Sequence, residues 1–304
     1  MLIKKRDSQQ DEIEELTTLL SLPLPENKKF LIERELRSIK SGDRGENDAA
    51  YFIDFHFKSS KNWVVIHDLR LEHQGKVAQI DHLLINRFIE VYVLESKNFS
   101  CGIKITDTGE FLMNYNNKYF SIESPIEQNK RHLIVLEEIF KQYDIMPKRL
   151  GITIIPTFRS YILMSTKSRV IRPSKETFDT SMVIKADTLR SQIDREFDNM
   201  GPLSVLATAS RLVSGETIKE LAERLSTAHK PIKINYRNRF GLEDVRPAQD
   251  NAEPLSIKPS KQFYCFQCKK KITEKVAKFC WDNKQRFHGK AYCFDCQKAL
   301  PGRQ

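Results

Sequence analysis

Two apolar strands joined by only three residues constrain this chain more than any other feature. Val77 to Ile85 and Ile89 to Glu95 flank Asn86-Arg87-Phe88. A parallel pair needs a crossover of a dozen residues or more, so these two must form an antiparallel hairpin. Trp63 to Leu69 reads as a strand before them, and short strands near 103–107, 111–115 and 118–122 continue the sheet.

Helical patterns bracket the strands. Residues 8–40 carry two apolar stripes, Ile13, Leu16, Leu19 and Leu20, then Phe30, Leu31 and Leu36, with Pro23 and Pro25 between them. Ser41-Gly42-Asp43-Arg44-Gly45 reads as a loop, and Glu46 to about Lys58 as an amphipathic helix. Pro125 suits the first turn of a helix reaching about Tyr143. Strands at Gly151–Ile155 and Ser160–Met164 follow, then helices around 187–198, 202–213 and 216–226. The resulting expectation is an α/β chain. Its parts are an N-terminal helical segment (1–40), a core (41–145), an α/β extension of that core (146–228), a Pro-containing linker (229–262) and a small C-terminal module (263–304).

Charge is unevenly placed. The net +10 resides in residues 229–304, with 17 Lys+Arg against 7 Asp+Glu, while residues 1–228 are neutral. A basic tail on a balanced body fits a polyanionic partner, because each neutralised phosphate releases counterions; a solvated, lysine-rich surface would look the same. No run of about 18 apolar residues is present, so no membrane contact is expected. The N-terminus lacks the apolar stretch of a secretory signal, which predicts a cytoplasmic location. No Gly-rich phosphate loop is present.

The charged residues within the hairpin point to chemistry. Asp81 interrupts Ile80-Asp81-His82-Leu83-Leu84-Ile85, while Glu95 and Lys97 close Val91-Tyr92-Val93-Leu94. Side chains two apart on a strand share a face, so Glu95 and Lys97 point together, with Asp81 in reach from the partner strand. Buried carboxylates are costly unless compensated. Magnesium, or manganese, held by Asp81, Glu95 and the Ser96 carbonyl would compensate them, and Lys97 could orient or deprotonate a water or stabilise developing charge. Glu46 lies at the start of a core-facing stripe with Ala50, Ile53 and Phe57; it could reach a metal, although the helix dipole alone favours an acid there. An E-x-K on a strand is also common as a surface ion pair worth little. His82 should face away from Asp81, and Cys101 reads as a small hydrophobe.

Residues 42–140 resemble the nuclease-related domain family of the PD-(D/E)XK nuclease superfamily. The matching pieces are Gly45-Glu46, Gln79-Ile80-Asp81-His82, Glu95-Ser96-Lys97-Asn98, Gly102-Ile103 and Ser124-Pro125-Ile126-Glu127-Gln128-Asn129. The resemblance implies a restriction-endonuclease-like core, a central mixed sheet flanked by helices. It also implies a catalytic set of Glu46, Asp81, Glu95 and Lys97, with Gln128 contributing to the site or to substrate contact. Ser96 stands where the family often has threonine.

Five of the six cysteines crowd the C-terminus. Cys265-x-x-Cys268 and Cys293-x-x-Cys296 lie 24 residues apart, the spacing of two thiolate knuckles on one structural zinc ion, similar to zinc ribbons. Cys280 and His288 are spare, and either could substitute as a ligand. Interleaved lysines and aromatics favour nucleic-acid binding by this module, with protein docking as the competitor.

The expected function is metal-dependent hydrolysis of phosphodiester bonds in DNA, with zinc structural. The alternative is a non-catalytic nucleic-acid-binding or partner-docking protein built on a nuclease-like domain. Cutting both strands of a duplex needs two sites, hence a homodimer or a protein partner.

Overall fold

The computed structural model describes residues 1–142, 145–149, 151–243 and 262–300. The chain divides into two compact units, Met1–Pro247 and Ala248–Gln304.

The first unit is built on a six-stranded mixed sheet. Its strands are β1 (Leu2–Lys4), β2 (Trp63–His73), β3 (Lys76–Asn86), β4 (Glu90–Lys97), β10 (Thr157–Met164) and β12 (Val183–Lys185), adjacent in that order. The β3–β4 hairpin is antiparallel, with His82 opposite Leu94 and Ile85 opposite Val91. β10 runs parallel to β4 and places Ile162 beside Glu95 and Met164 beside Lys97.

Both faces of the sheet are covered, which explains the continuous apolar run of β4. Val91 and Val93 pack with Leu136, Ile139 and Phe140 of α3 (Pro125–Gln142) and with Ile218 and Leu221 of α6 (Gly215–Thr227). Tyr92 and Leu94 face Ala49, Ile53 and Phe57 of α2 (Glu26–Phe57) and Leu189 and Ile193 of α4 (Leu189–Asp198). A smaller sheet of β5 (Ile103–Ile105), β6 (Phe111–Tyr115), β7 (Lys118–Ile122) and β11 (Val170–Ile171) lies in the order β11-β5-β6-β7. β8 (Lys148–Arg149) and β9 (Ile152–Thr153) form a short hairpin, and α5 (Pro202–Ser210) precedes α6.

Three expectations are corrected. First, Ser41–Gly45 is not a loop: α2 runs unbroken for 32 residues, and the boundary placed after residue 40 falls inside it. Glycine within a helix costs about 0.5–1 kcal/mol, but α2 is anchored on both sides of the glycines. Ile32, Leu36 and Ile39 pack with Leu16 and Leu19 of α1 (Gln10–Leu20), and Ala49, Ile53 and Phe57 pack on the sheet. Phe30 and Leu31, read as part of that stripe, are exposed.

Second, the N-terminal segment is not wholly helical, because β1 extends the main sheet parallel to β2. Third, the stretch read as linker starts as part of the body. The amide of Arg70 donates to His229 Nδ1 at 3.0 Å, and α7 (Tyr236–Arg239) buries Tyr236 against Leu16 and Leu19. Residues 244–261 of that stretch, and Tyr143 at the expected end of α3, lie outside the described residues. Among the described residues no helix is long and apolar enough to cross a membrane.

The second unit contains β13 (Phe263–Tyr264) paired with β14 (Lys271–Ile272), then α8 (Glu274–Asp282), α9 (Lys284–Phe287) and α10 (Phe294–Ala299). Its core is Cys265, Cys280, Phe287, Tyr292 and Cys293.

Candidate active site and metal centre

The ordinary alternation of β2 and β3 breaks at one level. Ala78 and Ile80 lie in the same cluster as Leu83 and Ile85, so β3 changes phase at Asp81. On β2, Leu69 and Leu71 share that cluster with Val64 and Ile66, with the change at Asp68, whose φ is 55°. Asp and Asn enter this left-handed region more readily than most residues. The break frees Asp81 from the packed faces at the point where β3 and β4 stop pairing, one step beyond His82 and Leu94.

There Asp81 turns to the neighbouring strand. The Ser96 amide donates to Asp81 Oδ2 at 2.7 Å. Glu95 is 2 % exposed; its Oε1 accepts from Lys97 Nζ at 2.6 Å, and its Oε2 is buried without a hydrogen-bond partner. His132 Nδ1 stands 3.7 Å from that oxygen, beyond hydrogen-bond range. Burial, with Lys97 and Arg131 nearby, lowers the His132 pKa to about 4, so it brings no positive charge at neutral pH.

Glu46, Asp81, Glu95, Lys97 and Gln128 all line one polar cleft of about 510 Å³, together with Gly42, Gly45, Asn98 and Phe99. Four separate elements, α2, β3, β4 and α3, therefore bring the sequence-expected residues together. Gly45 permits this: a Cβ there would lie 2.6 Å from Asn98 Cβ, so only glycine lets α2 approach the end of β4. Gln128 opens α3 beside Glu95 and acts to lower the pKa of that carboxyl.

Electrostatics mark the three carboxylates as under-compensated. Burial raises the pKa of Glu95 against the opposing pull of Lys97. Burial raises Glu46 as well, opposed by Arg6. Asp81 is raised well above the usual aspartate range by desolvation and then by Glu95 and Glu46. A divalent cation would remove that strain, and oxygen donors from Asp81 and Glu95 are the kind magnesium and manganese accept.

Sequence reasoning missed Arg6 and the contact between His67 and His82, although His82 faces away from Asp81 as expected. Arg6, only 9 % exposed in its side chain, reaches Glu46 Oε2 at 2.6 Å and Asp43 Oδ1 at 3.0 Å. Behind β4, on the α2 side, His67 and His82 meet Nδ1 to Nδ1 at 2.7 Å, His67 Nε2 contacts Asp54 Oδ1 at 3.1 Å, and His82 Nε2 contacts Ser96 Oγ at 3.0 Å. His82 is buried and does not line the cleft, so it packs behind the residue that separates Glu95 from Lys97. Cys101 is exposed and is not a core residue.

In the second unit the Sγ atoms of Cys265, Cys268, Cys293 and Cys296 all lie within 4.8 Å of one another. Cys268 and Cys293 are 3.6 Å apart, close to the edge of about 3.8 Å that a tetrahedral zinc with sulfur at about 2.3 Å requires. The four thiols can therefore hold one zinc ion. Cys280 is outside this group: its sulfur accepts from the Tyr292 amide at 3.3 Å and from Gln297 Nε2 at 3.2 Å. His288 is not among the clustered ligands either. On the surface, the Phe266 ring lies under Lys290 Nζ at 4.0 Å and Lys269 Nζ at 5.2 Å, and Phe294 lies under Lys298 at 4.8 Å.

Residues 41–164, which span α2 from its middle through β10, match the family model of the nuclease-related domain. No curated protein and no solved structure matches the chain.

Proposed function

We propose that the nuclease-related domain of this chain is a divalent-metal-dependent endonuclease that hydrolyses phosphodiester bonds in DNA. The observation that carries this reading is Glu95 Oε2, a buried carboxylate oxygen without a hydrogen-bond partner, beside Asp81 in a polar cleft. A buried carboxylate oxygen without a partner is costly, and a hard cation shared with Asp81 would compensate it. The neighbouring carboxylates in the cleft, which Glu138 Oε2, similarly unpartnered, lacks, are what favour a metal here. Asp81 and Glu95, with the Ser96 carbonyl, would hold magnesium or manganese. When bound, such an ion supplies charge neutralisation at the scissile phosphate and a more acidic water.

The chain's own residues do the rest. Lys97, fixed by Glu95 at 2.6 Å, orients or deprotonates the attacking water, or stabilises the charge that builds on the phosphate. Gln128 lines the same cleft from the first turn of α3 and favours the charged form of Glu95. Glu46 holds its place through Arg6 and keeps the middle of α2 against the cleft. The lysine-flanked rings of Phe266 and Phe294 in the second unit suit phosphate and base contacts and would add affinity.

Nuclease assays on plasmid and single-stranded DNA, with magnesium, manganese or EDTA, test the reading on wild type and Lys97→Ala. Metal-dependent cutting by wild type that falls about 10²–10⁴-fold in the variant is the expected result. A wild type that binds DNA and cuts under no metal would identify a binding protein instead.

A further inference from the structure

Arg6 lies outside the residues matched by the family model, yet its guanidinium pairs with Glu46, which lines the cleft. Its position is set by several independent contacts. β1 pairs with β2 immediately before it. Lys4 Nζ donates to the Asp68 carbonyl at 3.0 Å and to Asp7 Oδ1 at 2.7 Å, and the Asp7 amide donates to Asp68 Oδ2 at 3.3 Å. His229 Nε2 closes on Asp7 Oδ2 at 2.8 Å. The strap on either side of Arg6 is thus tied to the same β2 residue at which the sheet changes phase.

From that strap Arg6 spans Asp43 and Glu46, one turn apart on α2. A guanidinium presents its donors in a fixed fork, always charged, so the match to two carboxylates is pre-organised. Glu46 Oε2 is therefore already paired, whereas Glu95 Oε2 is not. The lining carries three carboxylates against the ammonium of Lys97, and Arg6 with Asp43 adds no net charge. One divalent cation balances the remainder.

Resting on the nuclease reading above, we infer that Arg6 stands where a second cation would bind at Glu46, so that the cleft works with one divalent ion held by Asp81 and Glu95. Arg6 is a positioning residue: its guanidinium, shared with Asp43, fixes Glu46.

Manganese titration of the full, zinc-loaded chain, followed by electron paramagnetic resonance, counts tightly bound ions without turnover. Wild type should take one ion and Asp81→Asn none. Glu46→Gln should keep one ion, with affinity short of the roughly 10–100-fold weakening that follows loss of even an outer partner of a metal ligand. Arg6→Gln should gain a second ion, and Arg6→Gln/Glu46→Gln should return to one. Circular dichroism checks each fold, and if Arg6→Gln does not fold, Glu46→Gln alone decides. Two ions on wild type, a loss of tenfold or more in Glu46→Gln, or one ion on folded Arg6→Gln overturns the inference and leaves the metal-dependent nuclease standing. No ion on wild type, or binding unchanged in Asp81→Asn, overturns both.

Discussion

The Ser96 amide donates to Asp81 Oδ2 at 2.7 Å, so the strand that carries Glu95 and Lys97 also aims the aspartate on its neighbour. Asparagine can accept that same bond without the charge. Asp81→Asn should therefore keep the fold, lose cleavage, and be more stable than wild type in buffer free of magnesium and manganese. Relief of about 1–2 kcal/mol would raise the melting temperature of a unit this size by roughly 2–8 °C. The pH dependence has a definite sign. An acid whose pKa is higher folded than unfolded contributes stability below its unfolded pKa and loses it as the pH rises through the folded one. Asp81 is raised by burial and by Glu95 and Glu46, so the advantage of the variant should widen as pH climbs from the ordinary carboxylate range to neutrality. Melting curves across that range check it; a gap that narrows counts against the assignment.

The two helical glycines should respond in opposite directions. At Gly42 the nearest atom to an added Cβ is Glu46 Oε1 at 3.8 Å, an ordinary contact, whereas at Gly45 it is Asn98 Cβ at 2.6 Å. Gly42→Ala should stabilise by about 0.5–1 kcal/mol through helix propensity. Gly45→Ala should destabilise by about 1–3 kcal/mol as α2 is pushed from β4, and nuclease activity should fall with it. Urea denaturation of the pair separates the two.

Cysteine substitutions in the second unit should sort by role. Cys268→Ser removes a ligand and should abolish stoichiometric zinc and the fold of that unit, since small modules draw their folding free energy from the metal. Cys280→Ala should retain one zinc per chain, while leaving the Tyr292 amide without its acceptor at a cost of about 1–3 kcal/mol; Gln297 Nε2 keeps the Tyr292 carbonyl at 2.8 Å. Zinc content by mass spectrometry, read beside thermal melting, checks both.

Burial lowers the pKa of His67 and, further, that of His82. Both therefore stay neutral when folded, and protonation of the unfolded chain below about pH 6.5 draws the unit toward unfolding. Replacing the pair with apolar residues, His67→Phe with His82→Leu, should flatten the loss of stability between neutral and mildly acidic pH relative to wild type. Denaturation midpoints at successive pH values would show it, and an unchanged slope would mean that other groups dominate acid unfolding.

The hairpin and its charges were legible because each signal is local. Three residues between strands exclude a crossover, and Asp81, Glu95 and Lys97 interrupt apolar runs where a packed strand would not tolerate them. The paired C-x-x-C spacing is similarly self-contained. What stayed hidden depends on distant partners. β1 has three residues, too few for any periodicity, and is a strand only because β2 lies beside it. Arg6 reads as one more basic residue until Asp43 and Glu46 come round on α2. Gly42 and Gly45 look like helix breakers, and the reason for Gly45 is Asn98, more than fifty positions away. The His67–His82 contact likewise requires the β2–β3 register that sets them opposite each other.

The close approach of Gly45 to Asn98 also has a mechanical side. α2 extends from Glu26, 19 residues before Gly45, which is about 28 Å of helix. A rock of about ten degrees around that contact would carry the Glu26 end by about 5 Å and the backbone of Glu46 by well under 1 Å. The packing of Ile32 on one side and of Ile53 and Phe57 on the other resists such a rock, and what reaches the carboxylate beside the contact is the smallest part of any tilt.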